Sequence, residues 1–222
     1  MCGRYALHSR PDVIALAFGL SDIPASIVPR FNIAPTTQVL VVRSDASGNR
    51  APAVVRWGLV PRWVKDPKFA TKLNNARGET VAQKPSFRDA YRRRRCLVPA
   101  NGFYEWKRVE SRKQPYYIWP AHGDLFAFAG LWERWDGQDE SLETCTIVTT
   151  GANLPMQAIH DRMPVIVPPQ DYARWLACAP GRDVADLLVP CPPESIRVHA
   201  VSTAVNRTSN ESPELISPIG DA

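Results

Sequence analysis

A cysteine directly behind the initiator methionine opens this chain, in the run MCGRYA. The first few residues of a domain are poorly ordered unless something ties them down, so a thiol at Cys2 has no ordinary structural use. Three short polar clusters also go beyond what strands and turns demand. LNNARGET (73–80) sets Asn74 and Asn75 beside Arg77, and on its own reads as a turn capped by asparagine side chains. In NGFYEWKR (101–108), a strand places Phe103 and Glu105 on one face and Tyr104 and Trp106 on the other. Glu105 is then either exposed on an edge or held in a partly apolar pocket, where desolvation raises its pKa and suits it to moving protons near neutral pH. AIHDRMPVIV (158–167) carries His160 ahead of Asp161 and Arg162. A histidine at such a loop–strand junction is a satisfied cap or a general acid or base.

The elements that must hold these residues are mostly short strands broken by turns. The segments 38–43, 51–58, 95–100, 102–108, 115–121, 125–135, 143–150, 163–167 and 196–202 are rich in β-branched and aromatic residues and bounded by Gly, Pro, Asn or Asp. Helical periodicity is confined to 11–20, 86–94 and 169–179, the first and last with Pro near the start. Strands dominate without regular strand–helix alternation. The expected fold is therefore α+β: one domain spanning 1–222, with curved, mainly antiparallel, barrel-like sheet and a few peripheral helices. SDASGNRA (44–51) reads as a hairpin connection, and the last dozen or so residues as a tail across the surface.

Composition narrows the functional classes. The 222 residues carry 27 basic and 22 acidic side chains, a net charge of +5 that permits a nucleic-acid surface without requiring one. No run approaches the roughly 18 apolar residues of a membrane span, and no secretory leader is evident, so a cytoplasmic protein is expected, nucleoid-associated if prokaryotic. The five cysteines, Cys2, Cys96, Cys145, Cys178 and Cys191, form no C-x-x-C pair and have no histidine at ligand spacing, which argues against a metal site. Cys96 and Cys145 lie in apolar runs and read as core. The Arg92–Arg95 run reads as a solvated face, because successive helical residues fan around the axis. Neither G-x-S-x-G nor a Gly-rich phosphate loop occurs.

Taken in order, MCGRYA, FNIAP (31–35), WGLVPRW (57–63), NNARGET (74–80), RCLVPANGFYEWKR (95–108), IVTT (147–150), IHDRMPVIV (159–167) and VSTAVN (201–206) resemble one family, the SOS response-associated peptidases or abasic-site processing proteins. The resemblance implies that Met1 is removed and Cys2 becomes the N-terminal residue, with a free α-amine beside its thiol. The amine can form a Schiff base with the ring-opened sugar of an abasic site, and the thiol then closes a five-membered thiazolidine. Both nucleophiles come from one residue, so the second step is intramolecular.

By the same resemblance Asn75 orients the Cys2 amine, Glu105 shuttles protons, and His160 serves the sugar oxygen released on ring opening. Arg4, Arg77 and Arg162 are implied phosphate contacts, with Asn74, Thr149 and Thr150 as further DNA-facing groups. Trp63 is the implied stacking residue. Val64 stands where the family often has a second bulky aromatic, with Phe69 a candidate substitute. The implied partner is single-stranded or junction DNA bearing abasic sites, with no cofactor, no metal and no membrane, and the protein is expected to act as a monomer. A minor strand-cleaving lyase activity follows from the same Schiff base. Two other readings stay open: a peptidase acting in trans through Cys2, and a non-catalytic single-strand binding module.

Overall fold

A computed structural model describes residues 2–67, 73–138, 140–178 and 183–220. In chain order the strands are β1 (Tyr5–Leu7), β2 (Arg30–Ile33), β3 (Gln38–Ser44), β4 (Arg50–Trp57), β5 (Asn75–Arg77), β6 (Arg95–Ala100), β7 (Gly102–Val109), β8 (Arg112–Pro120), β9 (Phe126–Asp136), β10 (Ser141–Gly151), β11 (Arg162–Pro164) and β12 (Ile196–Ala200). The helices are α1 (Pro11–Phe18), α2 (Gly78–Val81), α3 (Arg88–Arg93), α4 (Leu154–Gln157) and α5 (Tyr172–Leu176). The content is α+β with mainly antiparallel sheet, as the strand-rich pattern predicts.

Five strands close on themselves. Along the ring β10–β4–β3–β6–β9 each strand bonds the next, and β9 pairs back onto β10 from Ser141↔Asp136 to Ile147↔Gly130. Only the β10–β4 pairing in this ring is parallel. Closure removes the free edges that an open sheet must protect. Beyond the ring β10 continues, with β5 parallel on one side (Thr149↔Arg77) and β11 antiparallel on the other (Gly151↔Arg162). One strand thus collects two short arms that carry polar motifs.

A second sheet, in the order β12–β8–β7–β1–β2, packs against the barrel. Its strands alternate as a two-faced sheet must. Phe103 on β7 points into the main core, with Phe126 and Phe128 of the barrel, whereas Tyr104 faces the other way, toward Tyr117, Val201, Val205 and Leu215. The C-terminal segment covers that outer face. Leu215 is 3% exposed, Val201 bridges Pro218, and Glu211 accepts the Phe31 and Asn32 amides at 2.8 and 3.1 Å, so the expected surface tail is a packed layer. Gly102 is required where β7 crosses β8: an added Cβ would lie 2.5 Å from the Ile118 carbonyl oxygen and from the Tyr117 ring.

The turn at 44–51 is the expected hairpin. Asp45 Oδ1 accepts the Ser47 and Asn49 amides, both at 2.8 Å, and Gly48 takes a positive φ of 84°. The segment expected as a strand over 163–167 is regular only through Pro164, after which Ile166 makes a single bridge to Phe128. The helix expected over 169–179 is a 3-10 turn, Pro169–Asp171, that runs into α5.

The arginine run also departs from its solvated reading. Arg92 and Arg93 are exposed, but Arg95 is 3% exposed and its guanidinium donates to the carbonyls of Tyr91, Trp175 and Ala177. The chain leaves α3 and enters β6 at that residue, so the side chain turns inward, where backbone carbonyls near the end of α5 satisfy it. Cys96 and Cys145 are fully buried, as their apolar runs predict, and every cysteine is free. Among the described residues no helix is long and apolar enough to cross a membrane, and no group of three or more His, Cys, Asp or Glu is placed to hold a metal ion.

Candidate active site

The N-terminus is not frayed. β1 lies inside the second sheet, with Tyr5 paired to Ile33 on one side and to Phe103 on the other, and Tyr104 N–H donates to the Arg4 carbonyl at 2.9 Å. These bonds draw Cys2 under the surface, where it is fully buried. Asn75, the first residue of β5, reaches it: Asn75 Nδ2 donates to the Cys2 carbonyl oxygen at 2.7 Å. The other end of that side chain is an acceptor in waiting, since Asn75 Oδ1 is buried and has no hydrogen-bond partner among the described residues.

Glu105 takes the pocket alternative rather than the edge. It shares the inner face of β7 with Phe103 and is 2% exposed. Burial raises its carboxyl above the usual range, partly offset by the nearby charge of His160. Burial likewise pushes the Cys2 thiol far up, and the Glu105 carboxylate adds to the rise. Burial and the neighbouring carboxylate thus both favour the neutral thiol in this pocket.

His160 is set by the turn between α4 and β11. Asn153 caps α4 by accepting the Met156 amide, buried Met156 anchors the turn, and His160 N–H donates to the Met156 carbonyl at 2.8 Å. His160 Nδ1 lies 3.0 Å from the Arg162 amide and 2.9 Å from Asp161 Oδ1. These two contacts belong to different protonation states. A neutral ring accepts the Arg162 N–H at Nδ1 and carries its proton on Nε2, whereas an imidazolium donates from Nδ1 to Asp161. Four residues far apart in the chain, 2, 75, 105 and 160, thereby meet where the second sheet abuts the β5–β10–β11 end of the barrel.

The arginines divide. Arg77 is exposed at the end of β5. Arg162, opening β11, donates through Nη2 to the Thr149 carbonyl at 2.7 Å and grips both carboxylate oxygens of Glu79. Arg4 turns inward: its Nη1 donates to Asn32 Oδ1 at 2.7 Å and to the Val205 carbonyl at 2.8 Å, which ties the N-terminus to the C-terminal layer. Thr149 is fully buried, its hydroxyl directed at the Ala76 carbonyl, and the Thr150 hydroxyl donates to the Leu188 carbonyl at 3.0 Å. Those three side chains face protein partners rather than an open groove. Asn74 uses its carbonyl to accept the Trp57 indole N–H at 2.8 Å.

Trp63 is 62% exposed on a loop that is fastened beneath it. Trp135 donates its indole N–H to the Val64 carbonyl at 2.6 Å, and Val60 and Val64 pack with Trp135 and Leu142. Val64 thus faces inward, and Phe69 lies outside the described residues. Sequence reasoning passed over Asn32, which is fully buried and whose Nδ2 donates to the carbonyls of Val205, Arg207 and Asn210, and over Glu79. The motif FNIAP flagged the first without a role. The second stands two residues after Arg77, but its partner is 83 positions away.

Residues 1–208 match the family model described as SOS response associated peptidase (SRAP). The chain belongs to the SRAP family. It is 42% identical to abasic site processing protein YoqW of Bacillus subtilis (strain 168), with 97% of this chain and 99% of that protein covered. To abasic site processing protein HMCES of Xenopus tropicalis it is 34% identical, covering 99% of this chain and 78% of the other. Among solved structures, a crystal structure of a Bacteroides thetaiotaomicron protein superposes with a TM-score of 0.87 at 26% identity, covering 98% of this chain and all of that one. The SRAP fold therefore accounts for the barrel and the sheet that presents Cys2.

Proposed function

We propose that this SRAP protein processes abasic sites in DNA, and that it does so by trapping the sugar aldehyde covalently on Cys2 once Met1 has been removed. The observation that carries the reading is the pair of contacts at Asn75: one end of its amide holds the Cys2 carbonyl at 2.7 Å, while the other is a buried acceptor with no partner among the described residues. An α-amine on Cys2 would supply the missing donor. The names of the relatives supply the substrate class.

In the proposed sequence the amine adds to C1 of the open sugar, water leaves, and an imine forms. The thiol then adds across the C=N bond, making the C–S bond while its proton passes to nitrogen. Glu105, with its raised carboxyl, carries protons in both steps, and His160 supplies one to the sugar oxygen as the ring opens. A buried thiol with a raised pKa is a poor thiolate for attack on peptides in trans, which supports the imine route, where attack is intramolecular. β-Elimination from the same imine would give minor strand cleavage. A buried nucleophile needs an extruded or unpaired sugar, which favours single-stranded or junction DNA, and Trp63 is exposed for base stacking. Arg77 and Arg162 provide phosphate contacts. The protein acts as a monomeric, single-domain unit.

Intact mass spectrometry tests this reading. Incubation with a single-stranded oligonucleotide bearing one abasic site, without reductant, should yield protein lacking Met1 plus the oligonucleotide less one water. The Cys2→Ser variant should yield no stable adduct, since serine cannot close the thiazolidine. An equally stable adduct on the serine variant, or no mass gain on the processed wild type, overturns the proposal.

A further inference from the structure

Glu79 occupies a telling place in the arginine rim. It lies in α2, immediately after β5, and is exposed, yet both of its carboxylate oxygens are taken by the two Nη groups of Arg162 in a fork-to-fork pair. Arg77, two residues earlier, adds a second positive field, and together these arginines hold the Glu79 carboxyl below the ordinary carboxylate range. The Arg162 side chain is itself only 13% exposed against 53% for Glu79, so the carboxylate approaches from the solvent side. Carboxylate and phosphate both present paired oxygens to a guanidinium in the same bidentate geometry.

From this geometry we infer that Glu79 is a placeholder for a DNA phosphate on Arg162 and must be displaced when the strand docks. The inference rests on the proposed DNA function and adds a specificity element to it. An intact strand must break the Glu79–Arg162 fork to gain one phosphate contact, which weakens non-productive binding. An abasic strand loses as much at this point but is held by the covalent bond at Cys2. The rim also reaches the chemistry, because the Arg162 amide is within hydrogen-bond distance of His160 Nδ1.

Salt dependence gives the placeholder a signature that a purely structural ion pair lacks. Each phosphate neutralised on single-stranded DNA steepens the plot of log affinity against log salt by about 0.7. In the wild type the phosphate gains Arg162 while Glu79 is released and takes up a counterion, so that contact contributes little net slope. With Glu79 neutral the contact contributes in full.

The experiment measures binding of intact and abasic single-stranded oligonucleotides between about 50 and 200 mM salt, for the wild type, Glu79→Gln, Glu79→Ala and the double variant Glu79→Gln/Arg162→Gln. Both single variants should bind the intact strand several-fold more tightly at low salt, with a slope steeper by about 0.7. The double variant should lose that increment, since the contact itself is gone. Unchanged slopes with equal or weaker binding in both single variants would overturn the placeholder. Failure of the wild type to bind either oligonucleotide would instead overturn the DNA reading on which it rests.

Discussion

Two glutamates, Glu105 on β7 and Glu133 on β9, show how the same residue in the same kind of strand acquires different uses. Both are buried, at 2% and 5% exposure, and burial raises both carboxyls. Around Glu133 the neighbour is a fixed cation. Arg94 donates to it at 2.7 Å while also holding Asp89 at 2.9 Å, and the Arg134 amide closes the other oxygen at 3.0 Å. A guanidinium does not release its proton in proteins, so this pair fastens the end of α3 to the barrel without passing a proton between its members. Around Glu105 the neighbours are Cys2 and His160, groups that can exchange protons. Desolvation makes a carboxylate unusual, and its neighbours decide whether that serves structure or chemistry.

The comparison can be broken most directly by exchanging each acid for its amide. Glu105→Gln should slow adduct formation with abasic DNA by about 100-fold, the lower range for loss of a general acid–base group. Glu133→Gln should leave the same rate within about twofold, by single-turnover gel assay. Equal losses in the two variants would mean that burial alone, rather than the company of Cys2 and His160, sets the role.

Stability should run the other way. Glu133→Gln leaves Arg94 partly uncompensated, and should cost roughly 2–3 kcal/mol in urea unfolding, less than the 3–5 kcal/mol typical of a broken buried pair because Asp89 remains. A loss under about 0.5 kcal/mol would show that Asp89 carries the pair.

The smallest effect sharpens the contrast through pH. Because the folded state raises the Glu105 carboxyl, the folded protein holds that proton more tightly than the unfolded chain. Its contribution is therefore most favourable in acid and is lost as pH rises through the folded-state value. Glu105→Gln should consequently melt a few degrees above the wild type near neutral pH, with the gap closing as pH falls into the ordinary carboxylate range. Thermal scans from about pH 4 to about pH 8 would show it, and a gap independent of pH would sink the assignment of the raised carboxyl to this residue.

Much of the architecture was legible in the sequence because its signals are local. The segment 95–100 is a strand from first to last residue, the 44–51 turn follows from Asp45 and Gly48, and the parity of FYEW places Glu105 on the Phe103 side. What escaped were elements that exist only through partners. β1 and β5 have three residues each, too few to declare themselves by periodicity, and each is held by a strand about 70 or more positions away or by both of its neighbours. NNARGET accordingly read as a capped turn, although its first half is a sheet arm.

The site divides along the same line. Residue types and motif order in the sequence determined the chemistry on offer: an aminothiol precursor at Cys2, an amide at Asn75, an acid at Glu105 and an imidazole at His160. Only the tertiary structure decided that these four meet, that Glu105 is buried, that Arg4, Thr149 and Thr150 bond to protein partners, and that Glu79 holds Arg162. The physical reason is that a side chain's identity is a local property, whereas burial and the charge field around it are sums over atoms from every part of the chain, and those sums set a proton's place.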